Sequence, residues 1–146
     1  MNLIEARTVV YTAQSKVTFY CRDAVCEFVL RQQAVPLHPF RLFEYFLGDR
    51  VDRNVVRIGN NNLVRIADEV WVFGDVSDGV FFEIQYACQL GKKVRYFSIG
   101  TRADEIEEKT PAQVSFEAEL VKNGKLKERQ LREIVTRSVE PRVDAW

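Results

Sequence analysis

The stretch "ADEVWVFGDVSDGVFFEIQYACQLGKKV", residues 67–94, decides the fold class of this chain. It opens with a short apolar run, passes through the turn "GDVSDG" and continues into residues 79–91, where apolar side chains recur with helical spacing. Gly91 ends the predicted helix, and a second apolar run begins at Val94. Strand, helix and strand in this order predict a parallel βαβ unit with a right-handed crossover.

The same alternation extends in both directions from this unit. The sequence predicts strands at residues 7–13, 34–40, 68–74 and 92–100, and helices at residues 19–33, 41–50 and 52–67. Beyond residue 100 the pattern predicts one C-terminal helix, after an "NG" turn at Asn123 and Gly124 that is equally compatible with a hairpin. We therefore expect one α/β domain over residues 1–146. It would be flavodoxin- or Rossmann-like, with a mostly parallel sheet of four to five strands flanked by helices, a core at residues 7–100 and a helical or hairpin extension at residues 101–146.

Composition limits which binding partners and which cellular compartment are expected. Lysine and arginine number 21, as do aspartate and glutamate, so the chain lacks the basic excess of a nucleic-acid-binding protein. Cys21, Cys26 and Cys88 form no Cys-x-x-Cys motif, and His38 is the sole histidine, so we expect neither a metal nor another cofactor. The sequence contains no signal-peptide core and no apolar run long enough to span a membrane. These features predict a cytoplasmic protein.

One carboxylate stands out within the helix of the opening stretch. Glu83 is the sole charged residue between Gly79 and Gly91. An ionised carboxylate on a mostly apolar helix is costly unless it is paired, hydrated or used. Glu83 lies about one turn into the helix that follows "GDVSDG", close to the carboxyl ends of the strands, where parallel α/β sheets bind ligands. The sequence therefore makes Glu83 the first candidate site residue.

The residues of this stretch resemble a known family. The strand that begins Ala-Asp and the following Gly79, Val80, Glu83 and Ala87 are similar to the signature of the nucleoside 2-deoxyribosyltransferase-like superfamily. That superfamily includes transferases that exchange bases between deoxynucleosides and hydrolases that cut the N-glycosidic bond of nucleoside monophosphates. The resemblance implies a small nucleoside or nucleotide as substrate, and association into a homo-oligomer.

The resemblance also implies roles for individual residues. Glu83 matches the nucleophile, because a carboxylate below the sugar ring stabilises or captures the positive charge that builds as the base departs. Ser77 stands where the monophosphate hydrolases carry a serine that contacts the 5' phosphate, although the neighbouring Asp78 would repel a phosphate. Capping of the helix explains Ser77 and Asp78 equally well. Gly79 completes the ligand-facing start of the helix.

Four further positions follow from the same likeness. Asn60 occupies the place of a family aspartate, and an amide cannot exchange a proton at neutral pH. Tyr11 would project toward the base, while Ser15 and Lys16 would bind an anion after the first strand. A core tyrosine and a solvated lysine are the plain alternatives. The asparagine run at residues 60–62 also allows a helix break or a ligand patch there.

Three functions remain open from the sequence. The leading hypothesis is an enzyme of N-glycosidic chemistry, a 2-deoxyribosyltransferase or a nucleoside monophosphate N-hydrolase, with Glu83 as nucleophile. The second is a non-catalytic nucleotide-binding or regulatory module that kept the pocket and lost the acid at Asn60. The third, by fold analogy with TIR-type domains, is a glutamate-dependent hydrolase of a dinucleotide such as NAD. A homo-oligomer is also expected from the aromatic residues Phe43, Tyr45, Phe46, Phe81 and Phe82.

Overall fold

One five-stranded sheet organises the chain within residues 1–43 and 50–141, which the computed structural model describes. Its strands are β1 (Val9–Gln14), β2 (Val35–Leu37), β3 (Glu69–Phe73), β4 (Val94–Phe97) and β5 (Glu108–Lys109). The spatial order is β2-β1-β3-β4-β5, with the first four strands parallel and β5 antiparallel to β4.

Helices connect the strands and cover both faces of the sheet. They are α1 (Arg22–Arg31), α2 (Pro39–Leu42), α3 (Arg53–Ile66), α4 (Asp78–Gln89), α5 (Ala118–Asn123) and α6 (Glu128–Ser138). Short 3-10 helices lie at Lys16–Cys21, Ala103–Glu105 and Pro111–Gln113. The arrangement confirms the predicted α/β class, with a mostly parallel sheet flanked by helices.

Two hydrophobic layers lie on opposite faces of the sheet because neighbouring strand residues point in opposite directions. Val10 and Trp71 pack in one layer with Val25 and Phe28 of α1. The other layer joins strand residues to α3, α4 and α6; its buried members include Tyr11, Val70, Val72, Val64, Ile84, Ala87 and Leu131. Helix α1 therefore covers one face of the sheet, and α3, α4 and α6 cover the other. The strand order reverses between β1 and β3, which is where open α/β sheets bind ligands.

Several predicted boundaries change in the structure. The helix expected at residues 19–33 is preceded by the 3-10 helix Lys16–Cys21, and α1 begins only at Arg22. Helix α3 runs unbroken through the three asparagines, so no break occurs there. Helix α2 begins at Pro39, within the strand predicted at residues 34–40, and it shares only residues 41 and 42 with the helix predicted at residues 41–50. Residues 44–49 lie outside the described part.

The C-terminal extension contains the short strand β5 and the helices α5 and α6. The hairpin alternative at Asn123 and Gly124 is wrong, because the Gly124 NH donates to the Leu120 carbonyl and ends α5. The helix predicted after this turn is α6, and the sequence did not predict α5, which precedes the turn. Among the described helices, none has both the length and the apolar character needed to cross a membrane.

Lys92 joins the ends of two helices. The sequence predicts that Lys92 and Lys93 complement the carboxyl end of α4, but the Lys92 ammonium instead donates to carbonyls at the end of α3. It contacts the carbonyl oxygen of Val64 at 3.0 Å and those of Arg65 and Ala67. The last carbonyls of a helix have no partner within the helix. Lys92 therefore supplies donors that α3 lacks and fixes α3 beside the β4 strand.

Replacing Lys92 by methionine removes these donors while keeping much of the apolar side chain. We expect Lys92→Met to lower the free energy of unfolding by about 1–3 kcal/mol, since hydrogen bonds from a charged donor are lost. Lys93→Met is the matched control because Lys93 is adjacent and exposed. Urea denaturation measures both variants, and equal stabilities for the two would contradict this role of Lys92.

Candidate functional site

Helix α4 is aimed by a tight turn after β3. Gly74 has a φ of 79°, and a side-chain carbon at this position would approach Ile99 to 2.9 Å, so glycine is required. Ser77 then caps α4, with its hydroxyl accepting from the Val80 NH at 3.3 Å. The turn and the cap together direct α4 back across the sheet, with Val80 and Ile84 facing the core.

Glu83 contacts the central strand β1 across the helix and sheet layers. The Tyr11 hydroxyl donates a hydrogen bond to Oε2 of Glu83. Tyr11 is 1% exposed, whereas Glu83 keeps some access to solvent. Among the described residues, no Lys, Arg or His forms an ion pair with Glu83. Of the three explanations for a lone carboxylate, pairing with a cation is therefore not seen.

Burial sets the protonation state of this pair. It raises the pKa of Glu83 from 4.5 to about 7, and the hydrogen bond from Tyr11 opposes part of that rise. Burial and the nearby carboxylate raise the pKa of Tyr11 well above its usual value, so the tyrosine remains a hydrogen-bond donor. Near pH 7 the protonated and ionised forms of Glu83 are thus comparably populated. Such a carboxyl can serve either as a nucleophile or as an acid.

Asn60 lies on the neighbouring helix α3, as far from the carboxyl end of α3 as Glu83 is from that of α4. Asn60 lies six residues before the end of α3, and Glu83 lies six residues before the end of α4. Each residue is therefore about 9 Å from the end of its helix. Helix α3 leads into β3 and α4 leads into β4, and these two strands are paired neighbours in the sheet. Asn60 shares the inward side of α3 with Leu63 and Val64. Its Oδ1 atom is buried and has no hydrogen-bond partner in the described structure.

Open space lies above Glu83 on α4. Gly79 is one turn before Glu83 on the same side of the helix. A side-chain carbon added at Gly79 would have no described atom within 4 Å. Gly79 and Asp78 are both exposed at the carboxyl edge of the sheet. The side of α4 at Gly79, one turn before Glu83, is therefore open at this edge of the sheet.

The remaining predicted residues lie at the same edge but make structural contacts. Ser15 is buried and its hydroxyl accepts from the Val17 NH at 3.4 Å, while Lys16 is exposed. Ser77 caps α4, as the alternative explanation predicted. Asp78 is five residues before Glu83, which places the two about 140° apart around the helix. Asp78 therefore faces away from the side of α4 that carries Glu83.

Sequence reasoning missed a buried polar pair on the other face of the sheet. His38 is 1% exposed and its Nε2 lies 2.7 Å from Oε1 of Gln14. Gln14 Nε2 donates to the Thr18 carbonyl at 2.9 Å, so Gln14 Oε1 is the acceptor and His38 Nε2 carries the hydrogen. Burial and the charges of Arg41 and Arg22 lower the pKa of His38 to about 4. The sequence does contain a signal for this pair. A strand covered by helices on both faces is normally apolar throughout, and Thr12 and Gln14 are polar residues in such a strand.

The cleft that the structure describes lies away from Glu83. A cleft of about 740 Å³ follows α6 and contains none of the predicted site residues; its lining consists of Glu128, Arg129, Arg132, Glu133, Thr136 and Arg137. Among the described residues, no group of three or more His, Cys, Asp and Glu side chains is placed to hold a metal ion. The Tyr11 and Glu83 pair with Asn60 therefore remains the candidate site.

The comparisons with known proteins assign a family. The model of a domain of unknown function (DUF7768) matches residues 11–97, more than half of the chain. This chain belongs to the DUF7768 family. The span that defines the DUF7768 match runs from Tyr11 in β1 to the end of β4, and so includes Asn60 and Glu83. No curated protein matches the chain.

The buried carboxyl of this DUF7768 protein should make stability fall as pH rises. The pKa of Glu83 is raised by folding, so the folded state binds more protons between pH 4.5 and about 7. Stability is therefore lost across that window, by at most about 3.5 kcal/mol at about 1.4 kcal/mol per pH unit. We expect Glu83→Gln to be increasingly stable relative to wild type as pH rises from 4.5 to 8.

Chemical denaturation at a series of pH values measures this difference. Glu119→Gln is the matched control, since Glu119 is an exposed glutamate on α5 and should give a flat difference. Tyr11→Phe should move the window to higher pH, because it removes the hydrogen bond that lowers the pKa of Glu83. A flat profile for Glu83→Gln would mean that Glu83 is an ordinary solvated glutamate.

Proposed function

We propose that this DUF7768 protein acts at the N-glycosidic bond of a nucleoside or nucleotide, with Glu83 as the nucleophile. The observation that carries the proposal is the carboxyl group of Glu83, held by the Tyr11 hydroxyl and without a cationic partner among the described residues. The open side of α4 at Gly79 gives access to it. The resemblance of residues 67–94 to the nucleoside 2-deoxyribosyltransferase-like superfamily supports the same assignment.

The proposed chemistry has two displacements. In the first, a Glu83 oxygen forms a bond to the sugar C1' as the bond from C1' to the base nitrogen breaks, and the bonding electrons leave with the base. In the second, water or another base attacks C1' and releases Glu83. Tyr11 binds one carboxylate oxygen and thereby orients the other. Because the nucleophile must be ionised, the rate should rise with pH through about 7.

Protonation of the leaving base is the weak point of this site. Asn60 stands where an acid would help, and Asp78 lies on a different side of α4. The leaving base must therefore take its proton from water or from the ligand. A general acid typically contributes about 10²- to 10⁴-fold, so the site should be slow on bases that leave poorly.

A second candidate function rests on Asn60 itself. Its buried Oδ1 lacks a donor in the described structure. An unsatisfied buried acceptor costs about 1–3 kcal/mol, and a ligand NH or OH group would remove that cost. A non-catalytic module that binds a nucleotide through Asn60, with Glu83 as a further acceptor or donor, uses the same groups without bond cleavage.

A base-release assay separates the two functions. Purified protein is incubated with nucleosides, nucleoside monophosphates and NAD, and free base is measured by chromatography. We expect slow release by wild type, none by Glu83→Ala or Glu83→Gln, and unchanged release by the control Glu119→Gln. Asn60→Asp should raise the rate about tenfold or more, since the new carboxyl beside Glu83 would hold a raised pKa and act as an acid.

The outcomes assign the function directly. Nucleotide binding by calorimetry without base release, in both wild type and Asn60→Asp, would establish the binding module. Release of nicotinamide alone would assign a dinucleotide hydrolase. Base release that persists in Glu83→Ala would remove Glu83 from the mechanism.

We also propose that the protein is a cytoplasmic homo-oligomer. Fewer aromatic residues are available for association than the sequence predicted. Phe81 is buried within the chain, whereas Phe82 is 55% exposed on α4. Tyr45 and Phe46 lie outside the described residues. The Phe43 ring packs against Gly59, where an added side-chain carbon would lie 3.1 Å from the ring. The three cysteines are free, which suits a reducing compartment.

The association should depend on Phe82. Sedimentation velocity of the wild type should give a mass above that of one chain, and Phe82→Glu should give a single chain with unchanged circular dichroism. Val121→Glu is the control, because Val121 is an exposed apolar residue on a different helix, α5. A monomeric wild type would exclude the oligomer.

A further inference from the structure

Two arginines of α3 lie on the same side of the helix as Asn60. Arg57 precedes Asn60 by three residues and Val64 by seven, and Arg53 precedes Val64 by eleven. These spacings bring side chains to one side of an α-helix. Val64 is fully buried and packs in the layer shared with α4, so this side faces inward. Because α3 leads into the start of β3, its first turns, with both arginines, lie toward the carboxyl edge of the sheet.

The Glu83 side of α4 faces α3. Helix α4 connects β3 to β4, whereas Tyr11, the partner of Glu83, belongs to β1 on the other side of β3. Helix α3 lies on the path from β2 to β3, which passes over β1 on the same face of the sheet. Glu83 therefore points toward α3, and Gly79, one turn earlier, does so too. The open space at Gly79 thus borders α3, since an added side-chain carbon would have no described atom within 4 Å.

Arg57 lies across from this open space. The Lys92 ammonium, which follows α4, contacts carbonyl oxygens at the end of α3, so the carboxyl ends of the two helices are neighbours. Arg57 is nine residues before the last residue of α3, and Gly79 is ten residues before that of α4. They are about 13.5 Å and about 15 Å from these ends. Arg57 and Gly79 are therefore both about one turn closer to the carboxyl edge than Asn60 and Glu83.

The two arginines are not neutralised within the described structure. Neither Arg53 nor Arg57 forms an ion pair there. The Arg57 guanidinium donates to the neutral Oδ1 atom of Asn54 at 3.4 Å. The Asp52 carboxylate accepts from the Asn54 NH as the helix cap, and Asp78 is exposed on another side of α4. Positive charge therefore stands unpaired beside the opening above Glu83.

We propose that the substrate of the Glu83 site is a nucleotide whose phosphate is bound by Arg57, with Arg53 as a second cation. This inference rests on the proposed function, because it assigns the other end of the same substrate. A guanidinium donates two parallel N–H bonds to phosphate oxygens. Arg57 is about 4.5 Å along the helix from Asn60. That separation leaves room for a sugar ring between the phosphate and the carbon that Glu83 attacks.

The residues first expected to bind a phosphate are used elsewhere. Ser77 caps α4, and the Ser15 hydroxyl accepts from the Val17 NH. Lys16 begins the 3-10 helix that leads to α1, on the opposite face of the sheet from Glu83. A neutral nucleoside would gain nothing from the guanidinium of Arg57. The arginines of α3 therefore discriminate between a nucleotide and a nucleoside.

Matched ligand pairs test the proposal independently of base release. The common deoxynucleosides and their 5'-monophosphates are titrated by calorimetry into Glu83→Gln, which cannot form the bond to C1'. We expect at least one monophosphate to bind about tenfold or more tightly than its nucleoside, and the difference to shrink at high salt. NAD is titrated in the same way. Tighter binding of NAD than of every monophosphate would identify a diphosphate as the bound group.

Three further substitutions in Glu83→Gln locate the phosphate on α3. Arg57→Met should weaken monophosphate binding by about tenfold or more and leave nucleoside binding unchanged, whereas Arg57→Lys should retain part of the affinity. Arg65→Met is the matched control, because it removes the same charge from the same helix eight residues nearer the amino edge. Arg57 and Arg65 are both exposed, and circular dichroism verifies that each variant is folded.

The outcomes are distinguishable from those of the base-release assay. Preference for a monophosphate or NAD that is lost in Arg57→Met and kept in Arg65→Met supports the phosphate site, whether or not base is released. Equal binding of nucleosides and monophosphates overturns it, as do equal losses in Arg57→Met and Arg65→Met, or absence of binding by every ligand. Base release by wild type that is as fast from nucleosides as from monophosphates would keep the proposed function and overturn the phosphate site.

Discussion

The hydrogen bond between Tyr11 and Glu83 connects the central strand of the sheet to the helix that follows β3. Its existence depends on β1 and β3 being neighbours, which places Tyr11 beside the strand that leads into α4. The tight turn at Gly74 and the Ser77 cap then set the register of α4 that brings Glu83 to Tyr11. A carboxyl held at this depth by one neutral donor keeps a raised pKa and remains chemically available.

The parallel core was predictable because its signals are local. Residues 67–94 contain a strand, a capped helix, a glycine stop and a second strand, and the structure has β3, α4 and β4 there. Helix α3 likewise appears where its apolar spacing predicts, since burial of Leu63 and Val64 outweighs the poor helix propensity of three asparagines. Helix α6 follows the turn at Asn123 and Gly124 as its apolar spacing predicts, whereas the two-residue strand β5 and the six-residue helix α5 are too short to show a periodicity.

The candidate site was predictable in part, through Glu83. Its isolation in an apolar helix made it stand out, whereas its partner Tyr11 could not be told from an ordinary core tyrosine without knowing which strands pair. Lys92 illustrates the same limit, since its position after α4 gave no sign that its ammonium would reach the end of α3. Contacts between elements depend on strand order and register, and neither is encoded in any single stretch of sequence.

Asn60 determines how far the geometry favours an enzyme. It shares the height of Glu83 and lies on the inward side of α3, yet it carries an amide whose oxygen lacks a donor in the described structure. If the groove only filled space, an apolar side chain at Asn60 would remove that unsatisfied acceptor and add packing. A ligand that donates to the amide, as in both proposed functions, would satisfy the same acceptor. Binding is thus common to both proposed functions, and bond cleavage additionally requires that Glu83, half-ionised near pH 7, act without a neighbouring acid.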